Sequence, residues 1–232
     1  MRHTSRVAVL ATFLALPAGA QVTTVDDGSF TIQQAGRTVG REEFAIRATP
    51  GGGGRQFVAT ATVTMSERRL SPALNADSTG APVKYQVETR TGGDGREFLS
   101  GQIGRGRFSA RVQSARGESA REYVVADGAL IIDDDVFHQY FFLGRRESTA
   151  PPTAPITVPV IVPRRNVQIA MRVESRGREQ LTIGGQTLAS EHLRLVEPGG
   201  ATRELWIDDR GRVLRVEVPG RELVAVRDEP PR

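Results

Sequence analysis

The stretch FVATATVTM, residues Phe57 to Met65, carries the pattern that decides the fold. An apolar residue stands at every second position, and threonines fill most of the positions between. Successive side chains of a β-strand point to opposite faces, so this stretch predicts a strand with one apolar face and one wet face. Such strands are typical of antiparallel sheets that have one solvated side.

The same alternation recurs along the chain, in residues 83–88, 107–112, 167–173 and 214–218. Glycine-containing turn signals separate the alternating runs by roughly eight to fifteen residues, as in a meander of hairpins. No strand alternates with a helix in a βαβ rhythm, which disfavours a parallel sheet. We therefore predict an all-β protein whose curved antiparallel sheet forms a half-barrel of about 11–12 strands.

One segment departs from this pattern. Asp133, Asp134 and Asp135 precede the apolar run VFHQYFFL, and Gly144, Arg145 and Arg146 follow it. Aspartates at the start and arginines at the end suit the capping and the dipole of a helix. The sequence predicts one short helix, from Asp135 to Arg146, that lies on the concave side of the sheet.

The segment after the predicted helix is rich in proline. It contains Pro151, Pro152, Pro155, Pro159 and Pro163. This spacing is typical of a linker followed by an edge strand, because proline cannot donate a backbone hydrogen bond. We interpret residues 150–163 as a Pro-rich crossover inside one domain that spans residues 21–232.

Residues 1–20 have the pattern of a signal peptide. Arg2 and Arg6 form a basic start, Val7 to Leu16 are largely apolar, and Ala18 and Ala20 match the A-x-A site of a signal peptidase. An apolar run of about ten residues is too short to span a bilayer of roughly 30 Å. The sequence predicts an exported protein, periplasmic or extracellular, that is cleaved after Ala20 and keeps no transmembrane segment.

Composition narrows the classes of function. The chain has no cysteine, which excludes disulfides, thiolate metal sites and a cysteine nucleophile. Its formal charge is +4, and the arginines are scattered among glutamates without a basic cluster that contains aromatic residues. We therefore expect no nucleic-acid partner.

No stretch carries a catalytic constellation. Ser190, Glu191 and His192 are the right residue types for hydrolysis, but adjacent strand residues point to opposite faces. Asp208 and Asp209 lie in a predicted turn, where local hydrogen bonding is the usual role of aspartate. We expect no enzyme activity and no cofactor.

The best candidate metal ligands are Asp134 and His138, which stand four residues apart on the predicted helix. The competing interpretation is that the aspartates cap the helix and His138 packs beside Phe142. We favour the second interpretation and predict no metal site. Trp206 is expected on the face opposite Leu205 and Ile207, where it either covers the outside of the sheet or lines a ligand cleft.

The C-terminal stretch ELWIDDRGRVLRVE, residues 204–217, resembles the tail of several exported bacterial families of unknown function. The hairpin formed by GSFTI, residues 28–32, and GREEF, residues 40–44, is similar to their opening. Those families resemble the periplasmic lipoprotein carriers in architecture. The resemblance implies a half-barrel whose apolar concave side is partly filled by helix.

Two hypotheses about function follow. In the first, a non-enzymatic envelope protein binds a lipid or another hydrophobic ligand on the concave side. The residues predicted to contact that ligand are Phe57, Tyr85, Phe137, Tyr140 and Phe141. In the second, the protein is a structural or assembly protein of the envelope whose half-barrel is filled by its own aromatic side chains. Fold analogy does not choose between them.

Overall fold

A computed structural model describes residues 21–51, 54–93, 95–149 and 153–232. In these ranges the chain forms one α-helix, two 3-10 turns and fifteen strands, which belong to one curved sheet that does not close into a barrel. The strands are β1 (Thr23–Gln34), β2 (Arg37–Gly51), β3 (Gly54–Met65), β4 (Arg68–Ala76), β5 (Pro82–Thr91), β6 (Gly95–Gly104), β7 (Arg107–Ser114), β8 (Gly117–Val124), β9 (Leu130–Ile131), β10 (Ile156–Val162), β11 (Val167–Ile183), β12 (Gln186–Val196), β13 (Thr202–Ile207), β14 (Val213–Val218) and β15 (Leu223–Arg227). The helix is α1 (Tyr140–Thr149), and the 3-10 turns are Pro163–Arg165 and Pro219–Arg221.

The sheet is a long meander. Its strand order is β8-β7-β6-β5-β4-β3-β2-β1-β15-β14-β13-β12-β11-β10-β9. Neighbouring strands are antiparallel except β9 and β10, which pair in parallel. The first strand pairs with the last, so that Ile32 lies opposite Ala225. This pairing joins the strands β1–β8 to the strands β9–β15 in one sheet.

Alternation places the core on the concave side, as predicted. On β3, Phe57, Ala59 and Val63 are buried, whereas Thr64 is exposed. The inward-facing side chains of most strands join one large apolar cluster. Residues 129–143 cross this side and contribute many of its buried side chains, which close the concave face with an irregular segment and the first turn of α1.

The all-β fold and the curved sheet with one short helix are confirmed. Among the described residues the strands number fifteen, not 11–12. Two of them carry little alternating apolar signal, since β8 is largely polar and exposed and β9 has only two residues.

The predicted start of the helix is wrong. The helix begins at Tyr140 rather than Asp135 and continues to Thr149 rather than ending at Arg146. Asp135 has a left-handed φ of 61°, which interrupts a right-handed helix, and its carboxylate pairs with arginines instead of capping backbone N–H groups.

The helix packs closely against the β13–β14 turn. A Cβ at Gly144 would be 2.4 Å from the carbonyl oxygen of Gly211, so the close approach requires glycine at this position.

Within the Pro-rich crossover, residues 156–162 form β10, which pairs with β11 on one side and with β9 on the other. The strand thus lies one place in from the edge of the sheet. Residues 150–152 and the predicted signal peptide, residues 1–20, lie outside the described residues. In the part of the chain that is described, no helix is long and apolar enough to cross a membrane.

Candidate functional site

The five predicted ligand-binding residues all lie in the interior on the concave side. Each of them has at most 2% of its surface exposed. Phe57 makes edge contacts with Phe141 and Phe142, with ring centroids 6.4 and 6.2 Å apart, and those two rings are 5.5 Å from each other. The Arg145 guanidinium lies 4.5 Å from the centroid of Phe57. We call these three phenylalanines the aromatic interior.

Tyr85 belongs to a polar network beside the aromatic interior. Its hydroxyl donates to Asp133 over 2.9 Å, and the Arg164 Nε donates to the same carboxylate over 2.8 Å. The side-chain oxygen of Gln139 accepts the backbone N–H of Asp133 over 2.7 Å. Burial raises the pKa of Asp133 and outweighs the opposing effect of Arg164. Tyr85 is therefore a buried hydrogen-bond donor.

Phe137 and Tyr140 line a pocket beside the segment that precedes α1. It has a volume of about 320 Å³. We call it the arginine pocket, and its walls are Asp134, Asp135, Val136, Phe137, Tyr140, Arg165, Glu197, Ala201, Thr202, Arg203, Val218, Gly220, Arg221 and Leu223. Two larger depressions, of about 460 and 440 Å³, lie on β5–β8, among mostly polar side chains. The arginine pocket is more enclosed than either.

The three consecutive aspartates form ion pairs with different parts of the sheet. Asp133 pairs with Arg164, as above, and the oxygen of Asp134 lies 3.1 Å from an Nη of Arg203 on β13. Asp135 pairs with Arg221 over 2.7 Å and also with Arg68 at the start of β4. These pairs hold the segment before α1 across the concave side.

Arg203 is the most heavily bonded side chain of the pocket. It donates to the Tyr140 hydroxyl over 2.6 Å and to Glu197 over 3.0 Å, in addition to its contact with Asp134. Only 8% of its side chain is exposed. Burial alone would raise the pKa of Glu197, but Arg203 and Arg165 outweigh it and hold that pKa below its usual value. Arg203 and Glu197 therefore form a charged pair in the wall of the pocket.

Arg165 and Arg221 differ from Arg203. Their side chains are 44% and 43% exposed. Arg165 donates from one Nη to Glu197 over 3.2 Å, and its Nε lies 4.0 Å from Asp134. Arg221 pairs through one Nη with Asp135. Because a guanidinium group has five N–H donors, both side chains retain donors that these pairs do not use.

A second buried carboxylate fixes the chain just before α1. Glu42, on the concave face of β2, accepts the backbone N–H groups of Phe137 over 2.6 Å and of His138 over 3.1 Å. It also contacts the Nδ1 of His138. The imidazole stacks on Phe44 with centroids 5.9 Å apart, rather than beside Phe142 as predicted.

The candidate metal ligands do not share a site. His138 is bound to Glu42, whereas Asp134 is bound to Arg203. Among the described residues there is no group of three or more histidine, cysteine, aspartate or glutamate side chains placed to hold a metal ion.

The residues considered for hydrolysis are also separate. The hydroxyl of Ser190 donates to the Glu179 carbonyl oxygen over 3.0 Å, while His192 lies between the carboxylates of Glu179 and Glu204, at 2.8 and 2.9 Å. In the turn, Asp208 accepts the backbone N–H groups of Arg210 and Arg212. No relay from Ser190 to His192 exists among these contacts.

Trp206 covers the outside of the sheet. It is 7% exposed and belongs to a small apolar cluster with Ile183 and Leu214, apart from the main core that contains Leu205 and Ile207. The ring of His192 stacks on the ring of Trp206 with centroids 4.2 Å apart, and the indole N–H of Trp206 donates to the Glu179 carboxylate over 2.9 Å. Of the two expectations for this residue, the geometry matches the covering role.

Sequence reasoning missed the charged half of the site, namely Glu42, Arg165, Arg203 and Arg221. For Glu42 a signal existed, because it occupies the same face of β2 as Phe44, Ile46 and Ala48. A carboxylate in an apolar register is unexpected unless it has buried partners. The arginines carry no such signal, since their partners are distant in sequence.

Comparisons with known proteins concern the fold. No protein-family model matches the sequence, and no curated protein matches it either. The structure is similar to the crystal structure of a β-barrel-like protein of the domain of unknown function DUF1849 from Brucella abortus, with a TM-score of 0.55, 8% identity, and coverage of 88% of this chain and 95% of that chain. A DUF1089 family protein from Pseudomonas aeruginosa matches with a TM-score of 0.40 and 16% identity, over 94% of this chain and 98% of that one. The similarity to the Brucella abortus structure shows that the two chains share a fold.

Proposed function

We propose that this protein is an exported, non-enzymatic envelope protein that binds a small hydrophobic ligand in the arginine pocket. The observation that carries the proposal is the pocket itself, which brings two predicted residues, Phe137 and Tyr140, together with the apolar side chains of Val218 and Leu223. A concave site with apolar walls and a few polar groups is the usual form of a ligand pocket.

The size of the pocket limits the ligand. A volume of about 320 Å³ is at the lower end of the range of ligand sites and corresponds to the liquid volume of about ten water molecules. The neighbouring aromatic interior is closed by its own ring contacts. The proposed ligand is therefore short, and a long acyl chain does not fit without displacing the helix.

A scaffold role is the second candidate. The observation in its favour is that Phe57, Tyr85 and Phe141 are 1%, 0% and 2% exposed, so that most of the concave side is filled by the protein itself. In that case the arginine pocket would be a surface feature, and the ion pairs around it would serve only to hold the segment before α1 on the sheet.

Titration with N-phenyl-1-naphthylamine, a neutral fluorescent probe, separates the two candidates. We expect saturable binding at one site. Val218→Trp adds a large ring at a half-buried position in the pocket wall and should weaken binding at least tenfold. The matched control is Val83→Trp on β5, where the valine is 46% exposed, and it should bind like the wild type.

Two results would contradict the binding proposal. One is the absence of saturable binding to the wild type. The other is unchanged affinity in a folded Val218→Trp variant. Export is tested separately, by N-terminal peptide mapping of the protein from its own cells, which should find Gln21 as the first residue. An exported protein that retains Met1 would refute the predicted cleavage.

A further inference from the structure

The walls of the arginine pocket are balanced in charge, and Arg68, which pairs with Asp135 from outside the walls, gives the surrounding group of side chains an excess of positive charge. Arg68, Arg165, Arg203 and Arg221 are paired with only three carboxylates, those of Asp134, Asp135 and Glu197. The neighbouring pair of Asp133 and Arg164 is neutral as a whole. This group of side chains therefore carries one unbalanced positive charge.

The exposed hydrogen-bonding capacity that is unused is also on the cationic side, since the unsatisfied Oδ1 of Asp135 is buried and lies 2.7 Å from an Nη of Arg221. Each of the three carboxylates is already paired with at least one guanidinium, and Asp135 and Glu197 are paired with two. Arg165 and Arg221, in contrast, are about half exposed and retain N–H donors. A cationic ligand would have to displace an arginine from its carboxylate, whereas an anionic ligand would meet free donors.

Four other lining residues have apolar side chains. Val136, Phe137, Val218 and Leu223 line the pocket together with the two arginines. An uncharged hydrocarbon body gains from burial against such walls, and guanidinium groups bind carboxylate and phosphate oxygens with charge-assisted hydrogen bonds. The two kinds of wall together suit a ligand that is apolar at one end and anionic at the other.

We infer that the pocket selects a small anionic amphiphile. Its carboxylate or phosphate head contacts Arg165 and Arg221, and its short hydrocarbon body lies against Phe137, Val218 and Leu223. The inference rests on the proposed function, because it names the ligand class of the same pocket. Arg203 takes no direct part in binding the head, since Tyr140, Asp134 and Glu197 already occupy it.

The test is a competition among ligands of equal chain length. Octanoate, octyl phosphate, octanol and octylammonium displace N-phenyl-1-naphthylamine from the protein, and calorimetry measures the binding of octanoate directly. We expect octanoate or octyl phosphate to bind at least tenfold more tightly than octanol, and octylammonium to bind most weakly. The order of the two anions identifies the preferred head group.

The double variant Arg165→Gln, Arg221→Gln should bind octanoate and octanol with equal affinity and thus lose the preference for the anions. Arg111→Gln, at a position 78% exposed on β7, is the matched control and should keep the preference. Equal affinity of octanoate and octanol for the wild type would overturn the inference and leave the proposed function intact. Absence of both probe displacement and calorimetric binding of octanoate, with saturable binding of the probe, would overturn the inference alone, whereas absence of saturable probe binding would overturn both. A preference for the anions that persists in the double variant would place the head elsewhere and refute the assignment to these arginines.

Discussion

The aromatic interior and the arginine pocket are neighbours on the same concave side of the sheet, but one is filled and the other is open. Phe57, Phe141 and Phe142 meet in edge contacts and have almost no exposed surface. At the arginine pocket, the polar groups pair with one another along the walls and leave a volume of about 320 Å³ between them.

The difference has a physical cause. Apolar side chains gain free energy by every contact that excludes water, so they close the space between them. Charged side chains need partners or solvent, because a buried charge without either is costly. At the arginine pocket, Arg165 and Arg221 remain half-exposed beside the open volume.

The largest expected effect comes from creating a cavity in the aromatic interior. Phe141→Ala should lower the free energy of unfolding by about 3–5 kcal/mol, because it leaves a cavity in a packed core. Urea denaturation measures this change. Phe98→Ala, on a half-buried position of β6, is the control and should cost much less.

The same Phe141→Ala variant also tests whether the ligand binds in the arginine pocket or in the aromatic interior, when probe binding is measured at a temperature where the variant remains folded. It should bind N-phenyl-1-naphthylamine as the wild type does, since Phe141 does not line the arginine pocket. Loss of binding in the folded variant would show that the ligand enters the aromatic interior instead.

A smaller effect is expected where the segment before α1 is fixed to the sheet. Glu42→Ala removes the acceptor of two buried backbone N–H groups, those of Phe137 and His138, and should destabilise the protein by roughly 1–3 kcal/mol. Glu43→Ala alters the adjacent carboxylate, which is 70% exposed, and should change the stability very little. Equal effects of the two substitutions in denaturation experiments would mean that Glu42 does not anchor this segment.

The smallest expected effect is a pH dependence at the pocket. The pKa of Glu197 is lowered in the folded protein, because Arg203 and Arg165 outweigh the effect of burial. Its ionised form therefore contributes stability above its unfolded pKa of about 4.3, and that contribution is lost as the pH falls through the lower folded value. Glu197→Gln should cost about 1 kcal/mol at pH 7, the scale of one hydrogen bond, and progressively less below about pH 4.

Glu118→Gln, at an exposed pair with Arg111, is the control for this measurement and should show little dependence on pH. A cost of Glu197→Gln that stays constant from pH 7 to pH 3 would contradict the ion-pair account of the pocket wall.

The sequence predicts one of the two regions far better than the other. Alternation such as that of residues 57–65 depends on neighbours along the chain, so it predicts strands, the apolar face and the burial of Phe57. The ion pairs of the pocket depend on sheet register. Arg68 and Asp135 are 67 residues apart, and Arg203 and Asp134 are 69 residues apart, so no local pattern identifies them as partners.

Asp133, Asp134 and Asp135 show most clearly what a local sequence pattern does not predict. Their position before an apolar run favours a helix cap, but their carboxylates bind arginines on distant elements instead. Local capping and long-range pairing compete for the same oxygens, and only the folded sheet brings the arginines close enough for pairing to win.

The most direct test of the central claim is to locate the bound ligand with methyl NMR. Upon titration with N-phenyl-1-naphthylamine, the methyl signals of Val218 and Leu223, in the pocket wall, should shift and saturate together with the probe fluorescence. The methyl signals of Leu74, which pairs with Tyr85 deep in the filled part of the sheet, should not move. Shifts at Leu74 without shifts at Val218 and Leu223 would contradict the account and assign the ligand to the interior.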